Sequence, residues 1–249
     1  MTGAMHSARA AGELPVVGLI VPPAHGEVPA DGAALYGTDR VRFIARGLAL
    51  GEISTRGYEG VIDRVVGLAE ALARDGACAV SLMGTSLSFF RGAAFNAELE
   101  AEMTRRAGVP CTTMSHAIVR ALRALHVARV AVATAYIDEV NERLGRYLTA
   151  SDLAVTAIRG LAITGVQEVG EVPTATLVDL CESVHAADPS ADGILISCGG
   201  LLTLDAIAAV EAKLGVPVVS SSPAGFWDVM RVAGLESASR HGGRLFRQG

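Results

Sequence analysis

DGILISCGGLLTLDAIAAVEAKLG, residues 192–215, is the stretch that decides the fold. Its apolar run from Gly193 to Ile196 predicts a buried strand, and the Cys-Gly-Gly sequence beginning at Cys198 predicts a tight turn. Apolar residues at helical spacing then continue to Leu214. A thiol at such a turn is expected to lie beside the free N–H groups of the helix's first turn, which bind anions and lower a thiol's pKa. The sequence therefore predicts a pocket in front of Cys198.

The composition is that of a globular protein with a large core. Of the 249 residues, 51% are hydrophobic and 19% are charged. A net charge of −5 without a basic run argues against a nucleic-acid partner. No apolar run approaches the roughly 18 residues that span a membrane, and residues 1–15 lack the apolar core of a signal peptide. We therefore expect a cytoplasmic protein with a loose N-terminal tail and no membrane partner.

The cysteines and the single lysine restrict the chemistry. Cys78, Cys111, Cys181 and Cys198 form no CxxC pair and have no histidine at metal-ligand spacing, so we expect free thiols and no metal. The first three are expected to be core residues. Lys213 is the only lysine and stands near the end of a predicted helix. A Schiff-base mechanism, with or without pyridoxal phosphate, therefore lacks a suitable residue.

The two halves of the chain repeat one order of elements. Each has Asp-Gly before a predicted strand, then a turn of small residues, a helix, and Gly-Val-Pro before another strand, in residues 75–113 and again in residues 192–220. Alternating strands and helices favour parallel sheets with right-handed crossovers. The repeated order indicates a duplication of βα units. We expect loops at residues 24–39 and a loose tail after Gly234.

Ligands of parallel sheets bind beyond the carboxyl ends of the strands. The candidate groups at five predicted strand ends are Pro22-Pro23, Gly84-Thr85-Ser86, Ser115-His116, Tyr136 and Cys198-Gly199-Gly200. If the halves face each other, the Gly84 and Cys198 turns meet across a cleft. From the residues alone, Gly84 could equally be a tight-turn glycine, and Thr85 and Ser86 could be helix N-caps.

This two-half layout resembles the aspartate/glutamate racemase superfamily, whose racemases use two facing cysteines. Here the first-half position holds Gly84, within SLMGTSLSF. This glycine and four motifs together resemble the arylmalonate decarboxylase family over about Val16 to Leu245. The motifs are VPPAHGEVPADGA, SLMGTSLSFFRGAAFNA, ATAYIDEVNERL and ILISCGGLLTLDAI.

The resemblance implies a fold of two pseudo-symmetric Rossmann-like α/β domains. Each would be a parallel four-stranded sheet flanked by helices, with the active site in the cleft between them. One domain would comprise residues 14–125 together with a returning segment, 218–249, and the other residues 126–217. It also implies cofactor-independent, enantioselective decarboxylation of α-aryl or α-alkenyl α-methylmalonates to α-aryl propionates, with a small dicarboxylate as substrate. Nothing in the sequence indicates an obligate interface, so a monomer is the default expectation.

The resemblance assigns a role to each motif residue. Cys198 would protonate an enediolate, while Thr85, Ser86, Tyr136 and the backbone N–H groups of Cys198 and Gly199 would hold the retained carboxylate. The remaining substrate-binding positions would be Pro22, Pro23, Leu50, Ile53, Tyr58, Gly84, Val166, Val169 and Gly200.

Several alternatives stay open at this point. An amino-acid or hydantoin racemase, or a maleate cis–trans isomerase, would share the fold, and Gly84 in place of a second cysteine argues against them. A carboxylate-binding protein without turnover would share the pocket. Tyr58 could instead pack at a helix start. His25 and His116 are expected to lie at the surface or cap a helix, and the sequence leaves open whether either touches the site.

Overall fold

A computed structural model describes residues 13–247. All eight strands in it belong to two parallel sheets. The strands are Val16–Val21 (β1), Arg42–Gly47 (β2), Ala79–Leu82 (β3), Cys111–Thr113 (β4), Arg129–Thr134 (β5), Ala154–Gly160 (β6), Gly193–Ser197 (β7) and Val218–Ser220 (β8). The sheet orders are β2-β1-β3-β4 and β6-β5-β7-β8. Because each half uses the same order, the predicted duplication and α/β fold class are confirmed.

Ten α-helices cover the faces of the two sheets in the described part of the chain. They are Asp31–Tyr36 (α1), Thr55–Glu59 (α2), Val65–Arg74 (α3), Thr85–Phe89 (α4), Ala93–Ala107 (α5), Met114–Ala124 (α6), Asp138–Thr149 (α7), Thr174–Ala187 (α8), Leu204–Leu214 (α9) and Ser221–Val232 (α10), with 3₁₀ turns at Ile62–Arg64, Glu168–Glu171 and Arg244–Arg247. With helices on both faces, the central strands β3 and β7 are buried along their whole length. No helix among residues 13–247 is long and apolar enough to cross a membrane.

The repeated Gly-Val-Pro motif has a structural reason. Gly108 and Gly215 end α5 and α9 in the left-handed region, with φ values of 71° and 72°, where glycine has no steric cost. The prolines that follow enter the next strand. Their carbonyl groups accept the N–H of Val80 at 3.0 Å and that of Ile194 at 2.9 Å. The motif therefore stops a helix and sets the register of a new edge strand in each half.

The C-terminal segment joins the two sheets. β8 pairs with β7, with Ile194 opposite Val218, so this strand belongs to the second sheet and not to the returning segment predicted to begin at residue 218. α10 follows directly and packs against α6 and β3 of the first half. We propose that the boundary between the two units lies at Ser220.

Three local predictions were wrong. Residues 31–36 form α1 where a loop was expected, because α1 can bury Leu35 and Tyr36. The segment after Gly234 is packed and not loose, since Leu245 and Phe246 are buried and the Tyr36 hydroxyl donates to the Ser237 carbonyl at 3.1 Å. The helix expected directly after the Cys-Gly-Gly turn, α9, begins only at Leu204, six residues after Cys198. The predicted N-terminal tail lies mostly outside the described residues.

Candidate active site

A cavity of about 370 Å³ lies between the halves, at the carboxyl ends of the strands. All but one of the predicted site residues line it: Pro22, Pro23, Leu50, Ile53, Gly84, Thr85, Ser86, Tyr136, Val166, Val169, Cys198, Gly199 and Gly200. The volume is that of a small-molecule site. His25 and His116 are not among the lining residues.

Cys198 follows the last residue of β7 and is only 7% exposed. Its φ of 156° is a backbone conformation that few non-glycine residues adopt. Burial raises the pKa of the thiol to about 11, and the Gly200 N–H and the Tyr136 hydroxyl offset the rise only in part. The predicted lowering of the pKa was therefore wrong, because burial of the sulfur outweighs the hydrogen-bond donors beside it. The buried thiol is protonated and suited to donate a proton.

The facing turn of the first half carries Gly84. Its φ of −130° and ψ of 99° are open to any residue, so backbone strain does not require glycine here. A Cβ at this position would lie 2.6 Å from Leu87 Cδ1, and the end of that side chain would have to move. Across the cavity, a Cβ on Gly199 would lie 3.2 Å from the Met83 carbonyl oxygen. The two turns therefore meet, as predicted.

Buried hydroxyl groups surround the start of α4. Thr85 Oγ1 donates to Met114 Sδ at 2.8 Å. Ser88 Oγ lies 2.7 Å from Ser115 Oγ, and Ser115 Oγ donates to the Thr85 carbonyl at 3.0 Å. Because a thioether is a weak acceptor, the Thr85 hydroxyl is free to turn toward a stronger one in the cavity. The serine pair meanwhile fixes the Thr85 backbone.

Tyr136 closes the same end of the cavity from the second half. Its hydroxyl accepts a weak hydrogen bond from Ser197 Oγ at 3.5 Å and points its own proton toward the Cys198 sulfur. Because sulfur is a weak acceptor, this proton can turn to a ligand oxygen. The ring packs edge-on against Phe89 with centroids 6.0 Å apart, which holds it toward the first half. Burial, and then the neighbouring Cys198 thiol, raises the pKa of Tyr136 well above its ordinary value. Tyr136 is therefore a neutral hydrogen-bond donor.

The backbone donors differ from the prediction in one respect. The Cys198 N–H donates to Ser221 Oγ at 3.2 Å, whereas the Gly199 N–H has no protein acceptor among the described residues. Of the two predicted backbone donors, only that of Gly199 is open to a ligand in this structure.

Tyr58 is the predicted residue that does not line the cavity. It is fully buried against Phe90, with ring centroids 5.4 Å apart, and its hydroxyl makes no hydrogen bond of normal geometry. Burial raises its pKa, and the nearby Ser86 hydroxyl lowers it in part. Tyr58 therefore lies behind Ser86 and supports it.

Much of the remaining cavity lining is apolar. Pro22, Leu50 and Ile53 come from the first half, and Val166 and Val169 come from the second. The Ile53 N–H donates to the Thr164 carbonyl at 2.9 Å, which ties the two loops together. The cavity thus combines neutral hydrogen-bond donors with hydrocarbon side chains.

The lining residues within 13–247 include no Lys, Arg or His; the only charged groups are Glu27 and Asp31. No cluster of three or more His, Cys, Asp or Glu in that part of the chain could hold a metal ion. An anionic ligand in this cavity would therefore be held by neutral donors. A second cavity, of about 400 Å³, lies between α9 and residues 240–247, and neither the cysteine nor the hydroxyl cluster faces it.

A model of the arylmalonate decarboxylase family matches residues 17–246. The chain belongs to the arylmalonate decarboxylase family. Arylmalonate decarboxylase of Bordetella bronchiseptica is 60% identical over 233 residues, which cover 93% of this chain and 96% of that protein. A maleate isomerase of Nocardia farcinica is 32% identical over 133 residues, about half of each chain.

Solved structures agree with this family membership. A liganded double variant of arylmalonate decarboxylase, with a glycine replaced by cysteine and a cysteine by serine, is 58% identical and superposes with a TM-score of 0.92 over 94% of this chain and 100% of that one. A maleate isomerase of Pseudomonas putida S16 superposes with a TM-score of 0.86 at 21% identity, over 95% and 99% of the two chains. That second likeness shows a shared fold alone.

Ten lining residues of this family member were missed by the sequence analysis: Val21, Glu27, Val28, Pro29, Ala30, Asp31, Met83, Leu201, Leu202 and Ser222. Five of them are residues 27–31: residues 27–30 lie in the loop that was predicted, and Asp31 begins α1, which was not. Ser222 was detectable, because it follows the end of β8 and ligands bind beyond the carboxyl ends of parallel strands. The side chains that line a cavity from a loop have no comparable signal.

Proposed function

We propose that this chain is a cofactor-independent decarboxylase that converts α-aryl or α-alkenyl α-methylmalonates into α-aryl propionates of one hand. Family membership supports the reaction. The observation that carries the mechanism is a single protonated thiol, Cys198, in a cavity that is also lined by Gly84, by neutral hydrogen-bond donors and by hydrocarbon side chains.

The first step breaks the bond between the α-carbon and one carboxylate. Its electron pair moves into the remaining carboxylate, giving an enediolate, so negative charge grows on the group that stays. The Thr85, Ser86 and Tyr136 hydroxyls and the Gly199 N–H converge on the end of the cavity that would hold this group. One preplaced donor of this kind stabilises a transition state by about 3 kcal/mol.

The departing carboxylate would face the wall of Leu50, Ile53, Val166 and Val169. An ionised group in contact with hydrocarbon is poorly solvated, and loss of neutral CO₂ removes that cost. The absence of a cation on the described lining fits this arrangement, because a cation there would stabilise the dianionic substrate as well as the transition state.

The second step delivers a proton. The S–H of Cys198 protonates the α-carbon of the enediolate, which leaves a thiolate, and the thiolate takes a proton from water to complete the cycle. With a pKa of about 11, the thiol is almost wholly protonated at neutral pH. One donor on one face of a planar enediolate gives one enantiomer.

Racemisation is the runner-up function within the superfamily, and it needs a second base on the opposite face. Gly84 offers none. The glycine and cysteine exchanged in the arylmalonate decarboxylase double variant are separated in sequence by as many residues as Gly84 and Cys198 are here. That agreement supports pairing these two positions across the site.

The deciding experiment is CO₂ release from methyl(phenyl)malonate by the purified chain, with chiral chromatography of the product. We expect turnover and a large excess of one enantiomer. Cys198→Ala should still bind the substrate but lose at least 10²-fold in kcat. Cys181→Ala, at a buried cysteine outside the cavity, is the matched control and should keep its activity. If the wild type releases no CO₂, the decarboxylase proposal is wrong and a carboxylate-binding protein without turnover is the remaining alternative.

We also propose that the protein works as a monomer in the cytoplasm. Every residue in the mechanism comes from one chain, so a monomer would suffice for turnover. A cytoplasmic location stays a prediction.

A further inference from the structure

Two polar side chains on the cavity wall take no part in the mechanism above. Asp31 is the first residue of α1, and Ser222 is the second residue of α10. They are 6% and 1% exposed, and both line the cavity. The two helices pack together, which brings the carboxyl and the hydroxyl to one place on the wall.

Asp31 and Ser222 are each other's nearest polar neighbours, and neither side chain makes a hydrogen bond of normal geometry among the described residues. Ser222 Oγ is buried and makes no hydrogen bond of normal geometry. Asp31 makes no ion pair, and no cationic side chain shares the cavity in the described part of the chain. Burial raises the pKa of Asp31, and the nearby Ser222 hydroxyl offsets this only in part. Buried polar groups are nearly always hydrogen-bonded, so a pair left open toward a cavity indicates a ligand group.

The carboxyl of Asp31 and the hydroxyl of Ser222 restrict which ligand group can bind beside them. A ligand carboxylate beside Asp31 would be repelled by the ionised form, and it would place the substrate's charge away from the Thr85 and Tyr136 donors. The ligand's aryl end is therefore the part that reaches this wall. The matching group is neutral, donates one hydrogen bond to the Asp31 carboxyl, and accepts one from the Ser222 hydroxyl. A hydroxyl on an aromatic ring meets both conditions.

We propose that Asp31 and Ser222 form a polar subsite for a phenolic hydroxyl on the aryl ring of the substrate. This inference rests on the proposed function and narrows its substrate class to ring-hydroxylated aryl malonates. Val28 and Leu202, at the rim of the same cavity, are 37% and 56% exposed, and they offer apolar contact to the ring face beside the hydroxyl.

A phenyl ligand and a hydroxyphenyl ligand should differ in binding affinity at this subsite. An unsubstituted phenyl ring leaves both polar groups facing hydrocarbon, whereas a hydroxyl at the matching ring position satisfies both. A site built to hydrogen-bond a ligand hydroxyl discriminates against the analogue that lacks it, because its own polar groups are then left open. We expect at least a tenfold preference for one hydroxyphenyl isomer.

The test is calorimetric binding of the product series, which requires no turnover. The ligands are 2-phenylpropionate and its 2-, 3- and 4-hydroxyphenyl analogues, each titrated into the full chain. Wild type should bind one hydroxyphenyl isomer at least tenfold more tightly than the phenyl compound. Ser222→Ala and Asp31→Leu should each reduce that ratio about tenfold.

Ser220→Ala is the matched control. Its hydroxyl lies two residues away, bonds to Thr203 Oγ1 at 2.7 Å and does not line the cavity, so the ratio should be unchanged. Ser222→Ala removes a hydroxyl that makes no hydrogen bond of normal geometry and is not expected to impair folding, which keeps the test valid if Asp31→Leu fails to fold. Equal binding of all four ligands to wild type, as a subsite filled only by water would give, overturns the inference; so does a preference that survives Ser222→Ala.

The same series separates this inference from the proposed function. If the chain binds a hydroxyphenyl isomer preferentially but releases no CO₂ from any malonate, the decarboxylase assignment fails and the subsite stands. If it decarboxylates phenyl and hydroxyphenyl malonates with equal kcat/KM and binds their products equally, the subsite fails and the decarboxylase stands.

Discussion

The backbone N–H of Cys198 donates a hydrogen bond to the hydroxyl of Ser221 at 3.2 Å. This contact ties the turn that carries the thiol to the first residue of α10. It therefore connects the reactive residue to the helix that packs on the first half of the molecule.

Replacing Ser221 by alanine should loosen that turn. A buried N–H left without an acceptor costs about 1–3 kcal/mol, so we expect the free energy of unfolding to fall by that amount and kcat to fall with it. Denaturant titration measures the first effect and CO₂ release the second. Ser222→Ala, one residue on, removes a hydroxyl that makes no hydrogen bond of normal geometry and should reduce the free energy of unfolding less than Ser221→Ala does. Equal stabilities of the two variants would show that the Ser221 contact contributes nothing.

Gly84→Cys should introduce racemisation of α-aryl propionates. The new thiol would face Cys198 across the cavity, so one sulfur could remove the α-proton while the other returns it. The Leu87 side chain must shift, since a Cβ at residue 84 approaches its Cδ1 to 2.6 Å. Chiral chromatography of a single enantiomer after incubation gives the result. Gly84→Ala carries the same Cβ without the thiol and should not racemise; if it did, the sulfur would not be the cause.

The pKa of Cys198 has two measurable consequences. Burial raises it from an ordinary value near 9 to about 11, so alkylation of Cys198 by iodoacetamide, followed by peptide mass spectrometry, should be slow at pH 8 and should rise toward pH 11. Since the pKa is raised in the folded state, the stabilisation by the protonated thiol is complete below about pH 9 and is lost as the pH rises through about 11. A half-maximal alkylation rate near pH 8.5 would contradict both.

The sequence was sufficient to predict the fold because the duplicated motifs carry their own geometry. Gly108 and Gly215 each stop a helix and start an edge strand, and both were visible as Gly-Val-Pro. The strand ends likewise located Thr85, Tyr136 and Cys198. Residues 27–30 were missed because loop side chains that line a cavity have no sequence signal. The helix at residues 31–36 was missed because it is stabilised by tertiary burial of Leu35 and Tyr36.

The pKa of the Cys198 thiol could not be predicted from the sequence for a different reason. The Cys-Gly-Gly turn suggested a helix N-terminus beside the sulfur, whereas residues 199–203 separate Cys198 from α9. Desolvation then decides the sign of the shift, and desolvation depends on the walls contributed by both halves. The same holds for Asp31 and Ser222, which become neighbours only when α1 packs against α10.

A partly buried cluster of charged residues outside the cavity should make the protein sensitive to acid. Glu100 accepts from His116 Nδ1 at 2.7 Å and from Arg120 at 3.0 Å, and Arg120 also reaches Asp228 at 2.7 Å. Burial alone would raise the pKa of Glu100, but its hydrogen bonds and ion pairs with His116 and Arg120 outweigh burial and lower it. This contribution to stability is therefore present above the unfolded pKa and lost as the pH falls through the folded one.

Glu100→Gln should reduce the free energy of unfolding at pH 7 by about 1–3 kcal/mol, and should flatten its decline between about pH 5 and 3. The measurement is denaturant unfolding as a function of pH. Glu102→Gln, at a glutamate on the same helix with an exposed ion pair, is the control and should change the free energy of unfolding much less than Glu100→Gln does, because exposed ion pairs contribute little. If the free energy of unfolding falls equally steeply with decreasing pH in wild type and Glu100→Gln, Glu100 does not cause the acid sensitivity.

Tyr136→Phe tests the donor end of the cavity directly. The variant keeps the ring against Phe89 and removes only the hydroxyl, which in the wild type accepts a weak 3.5 Å bond from Ser197. Because that bond is weak, we expect the free energy of unfolding to change by less than about 1 kcal/mol. The loss of a donor to the enediolate should lower kcat about 10²-fold, with a smaller effect on KM, since the charge it stabilises develops only in the transition state. Steady-state kinetics on methyl(phenyl)malonate separates the two parameters. A variant with raised KM and unchanged kcat would mean that Tyr136 binds the ground-state carboxylate, and Thr85, Ser86 and Gly199 would then supply the stabilisation of the transition state.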